Sequence, residues 1–361
     1  MENTEETYAM LHQIPSPAFL VRDGIIIETN HGARQRQILP DAPVQALLLT
    51  GKEEYPQFQD GCLYLTLSLF GLPCSASVTR IGEQDLFVLE QESDQAELQS
   101  MALAAQALRA PLSNVMSVAD QLFPLMSMDA SDKNQDQIAR INRGLYQMLR
   151  IVCNMSDAYR YGCDTLLQGE IRDISALVRE QFQATAELVG HIGAELRYTI
   201  PNEPVFCLVD AQKLERAISN ILSNAIKFTP KGSCIQASLI RKGRMLYLTV
   251  QDSGNGIPRE LAGSVYHRYQ RQPGIEDSRF GIGLGMVLIR NAAAAHGGTV
   301  LTQQSENGGL RLTMTIPIRQ SQDPMVRSPI VNADYAGERN HWLLELSDCL
   351  PAELYRSENI N

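Results

Sequence analysis

Between residues 94 and 163, apolar side chains recur at alternating intervals of three and four. One run is Leu98, Met101, Ala105, Leu108, Leu112, Val115, Ala119 and Leu122. A second is Ile138, Ile141, Leu145, Met148, Val152, Met155 and Tyr159. This repeat draws a stripe along one side of a helix, so the segment predicts two long helices linked by the polar stretch Asp129–Lys133. Two helices alone enclose too little interior to bury both stripes. Either a second copy closes them into a four-helix bundle, or the rest of the chain packs over them.

The residues before this hairpin predict a small α/β module over 1–91. Ala18–Val21 and Ile25–Ile27 flank Arg22-Asp23-Gly24, a hairpin signal. Short helices are expected around 32–39 and 43–49, then strands over 63–70, 75–81 and 86–90. The order of strand, strand, short helices and three strands resembles a PAS sensor domain at the level of fold. No cofactor signature accompanies it; His12, His31, Cys62 and Cys74 are isolated, as packing or surface residues are.

After the hairpin come three spaced motifs. Asn220-Ile-Leu-Ser-Asn224-Ala-Ile-Lys227 lies in an amphipathic stretch, where intervals of four and three put Asn220, Asn224 and Lys227 on one helix face. Mg²⁺ takes oxygen ligands, and a neutral carboxamide suits it where phosphates carry the charge; Lys227 suits a phosphate as a point charge. Asp252-Ser-Gly254-Asn-Gly256-Ile257-Pro follows the alternating strand Met245–Val250. Its carboxylate can accept from an amine such as adenine's, and its glycines allow close backbone approach. Gly281-Ile-Gly283-Leu-Gly285 opens an apolar helix, whose free N–H groups make an anion site. Taken singly, these are a polar helix face, a glycine-rich turn and a weak glycine repeat. Neither a Walker loop nor a Rossmann unit is present. In order and in context they describe a pocket for ATP and Mg²⁺.

Residues 165–319 resemble the ATP-binding domain of sensor histidine kinases, in the GHKL ATPase superfamily. Asn220–Gly232 is similar to its N box, Asp252–Pro258 to G1, Gly281–Gly285 to G2, and Tyr266–Tyr269 to the aromatic F box of the lid. The resemblance implies an α/β sandwich with helices on one face of a mixed sheet. It implies Mg²⁺ at Asn224 with Asn220, phosphate at Lys227 and the adenine amine at Asp252. Ile257, Tyr269 and the glycines 254, 256, 281, 283 and 285 complete the implied nucleotide contacts. An anti-sigma-factor kinase or a chaperone-type ATPase fits less well, because a helical hairpin lies directly upstream.

In that family the hairpin is the dimerisation and phosphoacceptor domain. Leu108-Arg-Ala-Pro-Leu112 is similar to the end of its phosphoacceptor box, which sets Gln106 at the histidine position and Ala107 at the acidic neighbour. The heptad phase independently turns Gln106 outward. The six histidines of the chain all lie outside 92–164. A glutamine amide has no nucleophilic nitrogen and cannot replace imidazole. The expected chain is therefore a multidomain α+β protein: a PAS-like module (1–91), a degenerate hairpin (92–164) and an ATP-binding domain (165–319). Residues 320–361 form a tail that either docks back on the protein or binds a partner.

Two functions stay open on these residues. One is a dimeric kinase-like protein whose phosphate goes to a histidine on a partner kinase or onward to a response regulator. The other is a non-catalytic ATP-binding scaffold. The net charge of −10 disfavours nucleic-acid binding. The absence of a long apolar run, an acidic start and seven scattered cysteines lead to the expectation of a cytoplasmic protein with no membrane span.

Overall fold

A computed structural model describes the chain except residues 1, 91–92, 129–131, 164–168, 255, 257–282, 306–307, 320–339 and 361. The amino-terminal module opens with helix α1 (Glu2–Gln13), which the sequence reading did not anticipate. Strands β1 (Ala18–Arg22) and β2 (Ile25–Thr29) form the expected hairpin; Asp23 and Gly24 both take positive φ at its turn. Helix α2 (His31–Gln35) is capped by Asn30, whose side chain accepts from the Ala33 N–H at 2.9 Å. Single 3₁₀ turns follow at Val44–Ala46 and Tyr55–Gln57, the first where a longer helix was expected. Strands β3 (Cys62–Leu69), β4 (Leu72–Ile81) and β5 (Gln84–Leu89) complete the module.

Helices α3 (Ser93–Met128) and α4 (Asp132–Cys163) form the hairpin. Then come β6 (Glu170–Asp173), α5 (Ile174–Gly190), β7 (Glu195–Thr199), β8 (Phe206–Val209), α6 (Ala211–Phe228), β9 (Cys234–Lys242) and β10 (Met245–Gln251). The chain continues through α7 (Gly285–His296), β11 (Val300–Gln304), β12 (Leu310–Pro317) and α8 (His341–Glu345), ending in a 3₁₀ turn at Ala352–Tyr355. Helices α5, α6 and α7 cover a mixed sheet in which β7 runs parallel to β9 and the other pairs are antiparallel. This is the expected α/β sandwich.

Ten strands join in a single sheet, ordered β2-β1-β5-β4-β3-β11-β12-β10-β9-β7. The seam is the antiparallel pairing of Cys62, Leu63 and Tyr64 with Thr302, Leu301 and Val300. The sequence reading, which set these strands in separate modules, did not anticipate it. The period of two explains how β3 serves both sides. Leu63, Leu65 and Leu67 enter the amino-terminal core, while Cys62 and Tyr64 face the core shared by the sandwich and the hairpin.

The hairpin divides its heptads. Leu98, Ala105, Leu112 and Ala119 are buried, as are Ile138, Leu145 and Val152. The alternate positions Leu108, Val115, Leu122, Ile141 and Met148 remain exposed, each close to half or more. A third face of α4, with Asn142, Tyr146, Arg150 and Cys153, is buried beneath the carboxyl-terminal segment and the sandwich. Self-packing therefore covers part of the hairpin and leaves one stripe uncovered.

Candidate functional site

Helix α6 starts at Asp210, whose side chain accepts from the Lys213 N–H at 3.0 Å. Its apolar residues Leu214, Ile218, Ile221 and Leu222 lock it to the sheet, which fixes the direction of the polar face. Asn220 is buried; its Nδ2 donates to the Arg216 carbonyl at 2.8 Å. That bond commits the amine end and turns Oδ1 toward the first turn of α7, where a methyl group on Gly285 would sit 3.1 Å away. One turn further on, Asn224 Nδ2 lies 3.6 Å from Met286 Sδ. Both carboxamides therefore lie on one helix face, as the motif spacing predicts, and that face meets the start of α7.

Helix α7 begins at Gly285 with no side-chain cap from Leu284, so its first N–H groups keep their dipole for an anion. Gly283 precedes it with φ of +79°. At the other end, buried His296 accepts the Asp210 N–H on Nε2 at 3.0 Å and donates from Nδ1 to the Ala292 carbonyl at 2.7 Å. Burial lowers its pKa and keeps the ring neutral. The histidine thus ties the end of α7 to the start of α6.

Asp252 follows β10. Its Oδ1 accepts from the Gly254 N–H at 2.8 Å and the Leu310 N–H at 3.0 Å. Both hydrogen bonds among the described residues fall on one oxygen, leaving Oδ2 for an amine donor. Burial raises the carboxyl's pKa, and the two N–H donors oppose that shift. Gly254 proves to serve packing: a methyl there would lie 2.6 Å from the Phe228 carbonyl oxygen at the end of α6. Gly256 has φ of +67°, against the Gly308 carbonyl. Ile257, Tyr269 and Gly281 lie outside the described residues.

Three features escaped the sequence reading. Gly309 packs directly on the Asp252 backbone, and a methyl there would fall on the Asp252 carbonyl oxygen; the Gly308-Gly309 pair before β12 was its only trace. Arg216, one turn ahead of Asn220, is fully buried and paired with Asp157 of α4 at 3.1 Å and with Glu345. Lys227, read as a phosphate partner, is paired with Asp348 at 3.0 Å. No local pattern marks pairs that cross 59 residues or more.

Comparison with known proteins places this geometry. The family model for histidine kinase-, DNA gyrase B-, and HSP90-like ATPases matches residues 209–320. Hybrid signal transduction histidine kinase D of Dictyostelium discoideum is 27% identical over 248 residues, which is 66% of this chain and 16% of that protein. Sensor histidine kinase WalK of Bacillus subtilis is 26% identical over 246 residues, 65% of this chain and 39% of its own length. Residues 209–320 belong to that ATPase family, and about two thirds of the chain is similar to sensor histidine kinases. These matches span well under half of the relatives' lengths. The crystal structure of full-length ShkA in complex with AMPPNP superposes with a TM-score of 0.50 at 19% identity, covering 63% of this chain and 47% of that one; at that identity the likeness is one of fold.

Gln106 is exposed on α3, as the heptad phase predicts, and so is Ala107; the Gln106 side chain makes no hydrogen bond among the described residues. Helix α3 runs unbroken through Pro111 and Pro124. No described helix is long and apolar enough to cross a membrane.

Proposed function

We propose that this chain is a cytoplasmic two-component signalling protein that binds Mg·ATP between α6, α7 and Asp252 and does not phosphorylate its own hairpin. The observation that carries the nucleotide reading is the convergence of Asn220 and Asn224 on the uncapped, glycine-opened start of α7. Asp252 would hold the adenine amine through Oδ2. Asn220 Oδ1 and Asn224 would hold the metal, which when bound neutralises phosphate charge. Gly283 and Gly285 leave the helix start open to phosphate. These residues bind and orient; none of them is a proton acceptor for transfer.

The acceptor is then a histidine on a partner, whether a kinase or a heterodimer mate, upstream of a response regulator. The exposed stripe of Leu108, Val115 and Leu122 supports a dimeric hairpin. The amino-terminal module would act as a PAS-like input. Its link to the site is physical: Arg290 of α7 pairs with Glu90 and lies over the Tyr64 ring at 5.4 Å, so the same helix touches module and pocket. Gln106 itself favours the scaffold reading, in which ATP only selects a conformation. Incubation with γ-labelled ATP separates the readings. Binding and transfer to a partner histidine are expected, without acid-labile label on the chain; label in the hairpin overturns the claim that the acceptor is lost.

A further inference from the structure

The carboxyl-terminal segment is a shaped insert between α4 and α6. Asn340 caps α8, accepting from the Trp342 and Leu343 N–H groups at 3.0 and 3.2 Å. Leu343, Leu344, Leu346, Leu350 and Tyr355 are buried. Tyr355 closes the segment on itself, donating to the Leu343 carbonyl at 2.7 Å. Helix α4 then reads its backbone: Arg143 and Gln147 donate to the Ser347 carbonyl at 3.1 and 3.2 Å, and Asn142 to the Tyr355 carbonyl at 3.0 Å. On the α6 side, Cys349 Sγ lies 3.3 Å from Ser223 Oγ.

At the centre of this insert are two carboxylates. Asp348 reaches Arg150 at 2.6 Å and Lys227 at 3.0 Å, and Glu345 pairs with Arg216. Arg150, Arg216 and Lys227 are all nine-tenths or more buried. Burying cations requires compensating anions, and of the three carboxylates in this group only Asp157 comes from outside the segment. The segment therefore both covers these cations and supplies two of the three carboxylates paired with them. One of those cations, Lys227, shares a helix face with the two asparagines of the nucleotide site. A monoanionic carboxylate seated on that ammonium takes the place that a phosphate would take.

We propose that residues 340–355 are an intramolecular antagonist of nucleotide binding, with Asp348 holding Lys227 in the place of phosphate. The inference rests on the nucleotide-site reading of α6. Antagonism of this kind is reciprocal: the segment weakens Mg·ATP by the factor by which Mg·ATP loosens the segment. A partner or solution condition that lifts the segment would raise nucleotide affinity with no change in the pocket.

The test uses the full chain, unaltered and as Asp348→Asn, titrated with Mg·ATP by calorimetry. Asp348→Asn keeps the shape and removes the charge, and is expected to bind Mg·ATP about tenfold more tightly. Hydrogen exchange on the unaltered chain supplies a readout independent of that variant: saturating Mg·ATP is expected to speed amide exchange over 343–355. Equal affinities with unchanged exchange overturn the antagonist and leave the nucleotide site standing. No binding by either chain overturns both.

Discussion

The α6–α7 region and the hairpin hold the residues that the motifs single out in opposite ways. Asp252, Asn220 and His296 are buried, and each is tied to backbone of another element or of its own helix. Gln106 and Ala107 lie on the open face of α3, where the Gln106 side chain has no hydrogen bond among the described residues. A side chain that also holds the fold together cannot change without a stability cost. An exposed position can lose its chemistry and leave the helix intact. The difference lets a domain of the ATPase family stand beside a hairpin that carries glutamine at position 106.

The contrast breaks most visibly at Asp252. Asp252→Ala would leave the Gly254 and Leu310 N–H groups unpaired, at a cost of about 1–3 kcal/mol for each buried donor. Gly309→Ala would drive a methyl into the Asp252 backbone. Both variants are expected to lower the urea midpoint and to weaken a fluorescent ATP analogue by about a hundredfold or more. Retained affinity in a destabilised Asp252→Ala protein would show that this carboxylate is structural alone.

A smaller effect separates the two faces of the hairpin. Val115→Asp with Leu122→Asp strikes the exposed stripe, where each half-exposed apolar side chain stands to gain about 1 kcal/mol on burial by a second copy. Sedimentation should show monomers in place of dimers, with helix content kept. Leu112→Asp strikes the buried position and is expected to unfold the hairpin instead. If the outer pair leaves the sedimentation coefficient unchanged, the stripe is not the dimer face.

Much of this arrangement was readable from residue order because it is local. The heptad phase located both helices and the outward turn of Gln106. The spacing of Asn220, Asn224 and Lys227 put them on one face, and the alternation in Met245–Val250 marked β10. The β1–β2 turn followed from Asp23-Gly24. What was not readable is non-local. The pairing of β3 with β11 joins residues 62–64 to 300–302, and strand edges carry no address for a partner so far away. The heptads named the hairpin's apolar positions without saying which of them the tail, the sandwich or a second copy would cover. Lys227 looked free because its partner, Asp348, lies in a segment whose short apolar clusters fit docking and partner binding equally.

His296 gives a smaller test, read through pH. Its folded-state pKa is lowered by burial from about 6.5. As pH falls through that value the unfolded chain takes up a proton that the folded chain refuses, so the histidine's contribution to stability is lost on acidification. Glu215, pushed up to about 7 by burial and by Glu180, runs the other way: folding favours its protonated form, and that contribution fades as pH rises. The raw profile mixes the two, so the informative quantity is unaltered protein minus His296→Gln. That difference is expected to shrink by up to about 1.4 kcal/mol per pH unit below 6.5. A pH-independent difference would mean that the imidazole is not held neutral.

The smallest stability change should come with the sharpest chemical one. Gln106→His with Ala107→Glu alters two exposed residues on α3, where substitutions typically move stability by less than about 0.5 kcal/mol. Unfolding midpoints should therefore be unmoved. If the α6–α7 pocket presents the γ-phosphate, γ-labelled ATP should now leave acid-labile, base-stable label on the hairpin. The unaltered chain should leave none. Because the fold is untouched, failure to label cannot be charged to lost structure. It would place the defect on the donor side and turn the reading toward a scaffold that binds nucleotide without transferring it.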